Sequence, residues 1–131
     1  MLHVDIPSRS DFTRLRSVRS DACVSIYFKT LPLPQEHDAF RIELKDFSGT
    51  ARGQLEAKHL DKGRLASLME HIDALIVDDD FWRVQANSLA VFATPDLLQT
   101  FRLPNHLTPM VEVSDRFHLK PLLRSITFPN T

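Results

Sequence analysis

The stretch from Asp78 to Pro95 constrains the fold of this chain more than any other. Three successive carboxylates, Asp78, Asp79 and Asp80, lead into Phe81 and Trp82, the only tryptophan of the chain. The run Leu89-Ala90-Val91-Phe92-Ala93 follows, and Thr94-Pro95-Asp96 ends it. A carboxylate at a helix N-cap accepts an otherwise unpaired backbone N–H, so one Asp is read as capping a helical turn over Phe81 to Gln85, its neighbours being solvated. The apolar run is short and bounded by turn residues, which marks a strand inside a sheet, and proline cannot continue its ladder. Trp82 then serves as a core anchor, and the segment Gln99 to Leu103 returns as a hairpin partner.

The remaining elements follow from periodicity and breakers. Ser8 or Ser10 caps a short helix with Asp11 in its first turn, where the helix dipole favours a carboxylate. Phe12, Leu15 and Val18 give that helix an apolar side, with Arg9, Arg16 and Arg19 mostly on the other. Ala22 to Phe28 is a strand whose even positions are all apolar. Leu31-Pro32-Leu33-Pro34 reads as an extended connection. A long helix starts near Gln35 to Asp38 with Phe40, Leu44, Phe47, Ala51 and Leu55 on one face; Ser48-Gly49-Thr50 and Gly53 are expected to bend or fray it. Asp61 caps a second helix carrying Leu65, Leu68, Met69, Ile72, Leu75 and Ile76. Met110 to Val113 alternates as a last strand. Arg116 to Ser125, with Leu119, Leu122, Leu123 and Ile126 apolar, reads as a final helix with Pro121 as a kink, and 127–131 as a loose tail. The fold class expected is α+β: one domain over 1–131, with a small, mainly antiparallel sheet of about four strands and an antiparallel helical pair packed on one face.

Composition excludes several function classes. With 43% hydrophobic and 25% charged residues the chain is an ordinary globular one, and a net charge of −1 gives no whole-domain grip on nucleic acid. Its apolar runs fall far short of the roughly 18 residues a membrane span needs, and the first residues lack the basic start and apolar run of a signal peptide. A single Cys forms no internal disulfide, so a cytoplasmic setting is expected.

Little catalytic equipment is visible. The six histidines, His3, His37, His59, His71, His106 and His118, lie at no zinc-like spacing from one another or from Cys23, and read as surface or boundary residues. Adjacent carboxylates at Asp78–Asp80 make a poor cage for Mg²⁺. Cys23, mid-strand, reads as a small hydrophobe, no His–Asp pair stands ready to activate it or a serine, and the glycines form no phosphate loop. The chain therefore reads as non-enzymatic, with no catalytic, cofactor or metal residues. The basic residues are the candidate partner-binding set. Arg116, Lys120 and Arg124 line one face of the expected last helix, while Arg9, Arg16 and Arg19, together with Arg14, crowd the first. Side by side, the two helices would present a positive surface to RNA phosphates or an acidic protein, although no aromatic residue interleaves with the arginines to stack on bases.

Several segments resemble the N-terminal domain of bacterial proteins related to archaeo-eukaryotic class I peptide-chain release factors. They are Cys23 to Thr30, Arg41 to Lys45, Asp80 to Arg83 with Leu89 to Phe92, Phe101 to Pro104, and Asp115 to Leu123. The resemblance implies a first domain, normally followed by others, acting at the ribosome. It does not imply peptidyl-tRNA hydrolysis, which in the family depends on a Gly-Gly-Gln loop of a later domain; Gly53-Gln54 lacks the paired glycine, and the stop-codon-reading motifs are missing. The resemblance also implies an uninterrupted first helix of the pair, from which Ser48-Gly49-Thr50 departs. The expectation is a solitary binding module whose partner is the ribosome, translation RNA or a translation protein. The alternative is a structural or self-associating domain with no nucleic-acid role, its apolar surface left open where a neighbouring domain would sit.

Overall fold

The computed structural model describes residues 4–125. In chain order it comprises α1 (Arg9–Ser17), β1 (Cys23–Lys29), a 3-10 turn at Pro34–Glu36, α2 (His37–Ala57), α3 (Lys62–Ile76), α4 (Asp79–Arg83), β2 (Ser88–Thr94), β3 (Leu97–Leu103), β4 (Met110–Ser114) and α5 (Lys120–Ser125). The strands form one antiparallel sheet in the order β3-β2-β1-β4. This is the α+β class expected from the sequence. The final residues, with Ile126 and the tail 127–131, and His3 at the start, lie outside the described residues. Among the described residues no helix is long and apolar enough to cross a membrane.

Register explains the layers. Val24 pairs with Ala93, Ile26 with Val91 and Phe28 with Leu89, so these side chains share one face. That face packs against Phe40, Leu44, Ala51 and Leu55 of α2 and Leu65, Leu68, Met69, Ile72 and Leu75 of α3. Arg41, near the start of α2, donates to the Ile76 carbonyl at the end of α3 at 3.3 Å, which makes the two helices an antiparallel pair. The opposite face is covered too. Tyr27, Ala90, Phe92, Phe101 and Leu103 form a second core closed by Leu15 of α1, Leu122 of α5 and Phe117.

Caps behave as expected. Ser8 accepts from the Asp11 N–H while Asp11 accepts from the Ser8 N–H, a reciprocal capping box. Asp61 accepts from Arg64 N at 3.1 Å. Asp78 accepts from Phe81 N at 3.1 Å, Asp79 pairs with Arg41 at 2.7 Å and Asp80 with Arg83 at 3.1 Å. One acid thus caps α4, while Asp79 and Asp80 pair at the surface and stay largely exposed, as the sequence suggests. Trp82 is fully buried and donates its indole N–H to the Leu75 carbonyl at 2.9 Å. Arg102 ties the same region to β3: it pairs with Asp5 at 3.0 Å, donates to the carbonyls of Val84 and Phe81, and lies 4.4 Å over the Phe81 ring.

Three expectations are corrected. First, α2 is continuous through Ser48-Gly49-Thr50 and Gly53. Gly49 and Gly53 face open space, and the apolar stripe Phe40, Leu44, Ala51 and Leu55, with Ser48 buried on it, holds the helix against the sheet whatever the glycines cost. Second, the last helix begins at Lys120 rather than Arg116. A helix from Arg116 would drive the Pro121 ring into the Phe117 carbonyl; in the first helical turn the proline fits without a kink. Third, His37 is buried at 6% exposure rather than superficial.

Helix α2 ends in a Schellman motif. The Leu60 N–H returns to the Leu55 carbonyl and the His59 N–H to that of Glu56, with His59 at φ 59°. The chain thus carries glycines where alanine suits the helix and a side chain where glycine suits the cap. Gly49→Ala and Gly53→Ala should each stabilise by about 0.5–1 kcal/mol, and His59→Gly by about 1 kcal/mol, in urea unfolding. Destabilisation by either alanine would contradict the open surroundings of these positions.

Burial lowers the pKa of His37, and Arg41 one turn along lowers it further, with exposed Asp38 opposing. Its Nε2 has no hydrogen-bond partner, and it sits at a helix N-terminus, where a cation is disfavoured. Because the folded value is depressed, the unfolded chain takes the proton first. The resulting stability is complete above about pH 6.5 and is lost as pH falls toward the folded pKa. The urea midpoint should therefore fall more steeply between about pH 7 and 5.5 in the wild type than in His37→Phe. Parallel curves would refute this.

Candidate partner-binding groove

The second face of the sheet builds a groove between α1 and α5. From β1, Ser25 Oγ accepts the His118 N–H at 2.9 Å, and the Tyr27 hydroxyl donates to the His118 carbonyl. Both side chains are buried, so the 115–119 connection is fixed to the sheet through its backbone. Burial raises the Tyr27 phenol well above its ordinary pKa, keeping it a donor. Beside it, Phe92 meets Tyr27 edge-on at 5.7 Å, Phe101 at 6.2 Å and Phe117 at 5.3 Å. Phe117 is thereby set as the groove floor and Lys120 follows at its wall.

The other wall is α1. Leu15 anchors it in the core, and Arg14 ties it to β3 through Gln99 at 3.1 Å and to Asp11 at 3.2 Å. The backbone N–H of Ser8, then its hydroxyl and Arg14, hold the Asp11 carboxyl below its usual range. The groove is open to solvent and its volume is about 500 Å³, lined by Arg9, Phe12, Thr13 and Arg16 from α1 and by Phe117, Leu119, Lys120 and Leu123. Arg9, Arg16 and Lys120 rim an apolar floor, and among the described residues the lining contains no carboxylate.

Of the sequence-selected residues, Arg9, Arg16 and Lys120 converge here. The other three do not. Arg19 turns back and donates to the carbonyls of Arg16 and Val18 at 2.8 Å each, closing the end of α1. Arg116 precedes α5, pairs with Asp115 at 3.4 Å, and borders a neighbouring depression of about 330 Å³ with Glu112 and Ser114. That guanidinium, then the Ser114 hydroxyl, lowers the Asp115 pKa. Arg124 is exposed on α5 outside the groove lining. The expected stripe of Arg116, Lys120 and Arg124 therefore does not exist, because α5 starts after Arg116.

Phe12 was assigned to the side of α1 opposite the arginines; it lies half-buried between Arg9 and Arg16 in the groove wall. The spacing of Arg9, Phe12, Thr13 and Arg16 at i, i+3, i+4 and i+7 carries that signal. Nothing local singles out Phe117 or Leu123, which join the groove only through tertiary packing.

Elsewhere, Cys23 is fully buried and burial pushes its thiol up to about 11, as befits a small core residue. Among the described residues no three His, Cys, Asp or Glu side chains come together as metal ligands. Tyr27→Phe and Ser25→Ala should each cost about 1 kcal/mol in urea unfolding and speed amide exchange at His118 to Lys120. Unchanged exchange there would show that β1 does not position this wall. No protein-family model and no curated protein matches this chain.

Proposed function

We propose that this chain is a non-enzymatic binding module that meets its partner at the α1–α5 groove. In keeping with the release-factor-like segments, the partner belongs to the translation apparatus in the cytoplasm. The observation that carries the reading is the convergence of Arg16 and Lys120, from opposite ends of the chain, on one groove with no carboxylate among its described lining residues. Such a basic site has long-range attraction for an anionic partner even though the net charge of the whole chain is −1. Recruitment through the groove is the role proposed for this domain.

A second reading, a self-associating structural domain, is favoured by exposed apolar residues at the end where α2 begins and α3 finishes. Leu31, Leu33, Ile42, Val77 and Val84 are each at least 39% exposed there. Two measurements separate the readings. Co-sedimentation with ribosomes at low and moderate salt should recover the wild type and lose Arg16→Glu/Lys120→Glu by about tenfold. Absence of ribosome binding at either salt, with a dimer mass in solution, would favour self-association instead.

A further inference from the structure

We infer that the outer edge of β4 pairs with an extended segment of another protein, at a surface separate from the α1–α5 groove. The Thr30 N–H meets the Asn87 carbonyl at 3.0 Å. By the alternation of an antiparallel ladder, the even-numbered residues of β1 then bond to β2 and the odd-numbered ones to β4. Cys23, Ser25 and Tyr27 exchange hydrogen bonds with Ser114, Glu112 and Met110, while the N–H and C=O of Val111 and Val113 point away from β1. Lys58 agrees with that direction, its ammonium donating to the Val113 carbonyl at 3.1 Å. Among the described residues no other hydrogen bond reaches these outward groups, so both groups of Val111 and the Val113 N–H stand open. The opposite edge is more fully used. On β3, Asp5 donates its N–H to the Arg102 carbonyl at 2.7 Å and accepts the Arg102 N–H on its carboxylate at 3.3 Å. The Thr100 carbonyl accepts from the Gln99 side chain at 3.3 Å.

Open ladder groups select an extended backbone as the occupant, and the flanking side chains select its residues. Side chains of an added strand alternate between the two faces of the sheet. Those beside Val111 and Val113 extend the first core, against which both valines pack, and suit aliphatic residues. Those beside Glu112 lie over the depression of about 330 Å³ that Glu112 borders with Ser114 and His118. Glu112 is exposed on β4 itself and favours a lysine or arginine as its cross-strand neighbour, whereas Arg116 in the same depression already pairs with Asp115. A second copy of β4 fits less well. Pairing Val111 with Val113 of a copy sets Glu112 directly against Glu112, and centring on Val113 brings two Lys58 ammonium groups together. Centring on Val111 sets Val113 against Pro109, which has no N–H to give.

Amide exchange of the whole chain, read by NMR, tests this with a soluble probe peptide that alternates valine with lysine. In the free chain the Val111 amide should exchange about tenfold or more faster than those of Glu112 and Ser114, which bond to β1. The peptide should slow Val111 and Val113 by about tenfold or more and leave α1 unchanged. A probe N-methylated at its valines, which cannot donate to the Val111 carbonyl, should have no effect on the wild type. Val111→Pro should abolish the response and stay folded, because proline in an edge strand removes only an N–H that β1 does not use. Protection of Val111 in the free chain, no slowing with the peptide, or equal slowing by the N-methylated probe overturns the inference. Slowing at 9–17 and 117–123 instead overturns it and assigns the peptide to the groove. Val111 protection that rises with protein concentration, with a dimer mass, overturns it in favour of a second copy.

Discussion

Burial of both faces of the central strands β1 and β2 is the constraint from which the rest of the structure follows. An antiparallel sheet commonly keeps one face wet. Here Val24, Ile26 and Phe28 face one core while Cys23, Ser25 and Tyr27 face another, and all six are fully buried. The first core is closed by the α2–α3 pair. The second is closed by the short helices α1 and α5 and the connection before α5, which send Leu15, Leu122 and Phe117 into the core around Phe92. The groove is the space left between those two short covers.

Local signals made much of this visible in the sequence. Asp61 caps the helix it was expected to cap, Ser8 is the one of two candidate serines that caps α1, and Asp78 the one of three acids that caps α4. The stripe from Leu65 to Ile76 faces the core, and Pro95 closes the β2–β3 hairpin. Each of these depends on residues within a few positions of one another. The parts that were not visible depend on partners far away. The continuity of α2 is decided by packing on β1 and β2, which outweighs glycine costs of roughly 1 kcal/mol each. The start of α5 is decided by Pro121 together with Ser25 and Tyr27, more than ninety positions away, holding His118. The apolar even positions of β1 marked one buried face, and no local signal marked the face of Cys23, Ser25 and Tyr27 as buried too.

The candidate site was half legible for the same reason. Its charges were found, since cations in a sequence of modest charge are conspicuous. Their grouping was not, because a charge stripe reads correctly only if the helix that carries it exists. Arg116 lies before that helix, and Arg19 is used by the backbone of α1. Lys120 instead joins Arg9 and Arg16 across a space that no linear pattern describes.

Amide hydrogen exchange of the chain, free and mixed with ribosomes, tests the central claim most directly. Occupation of the groove predicts slowed exchange confined to α1 and to residues 117–125, with the α2–α3 layer unchanged. Slowed exchange at 31–42 and 77–84 instead, or no change in α1, would contradict it.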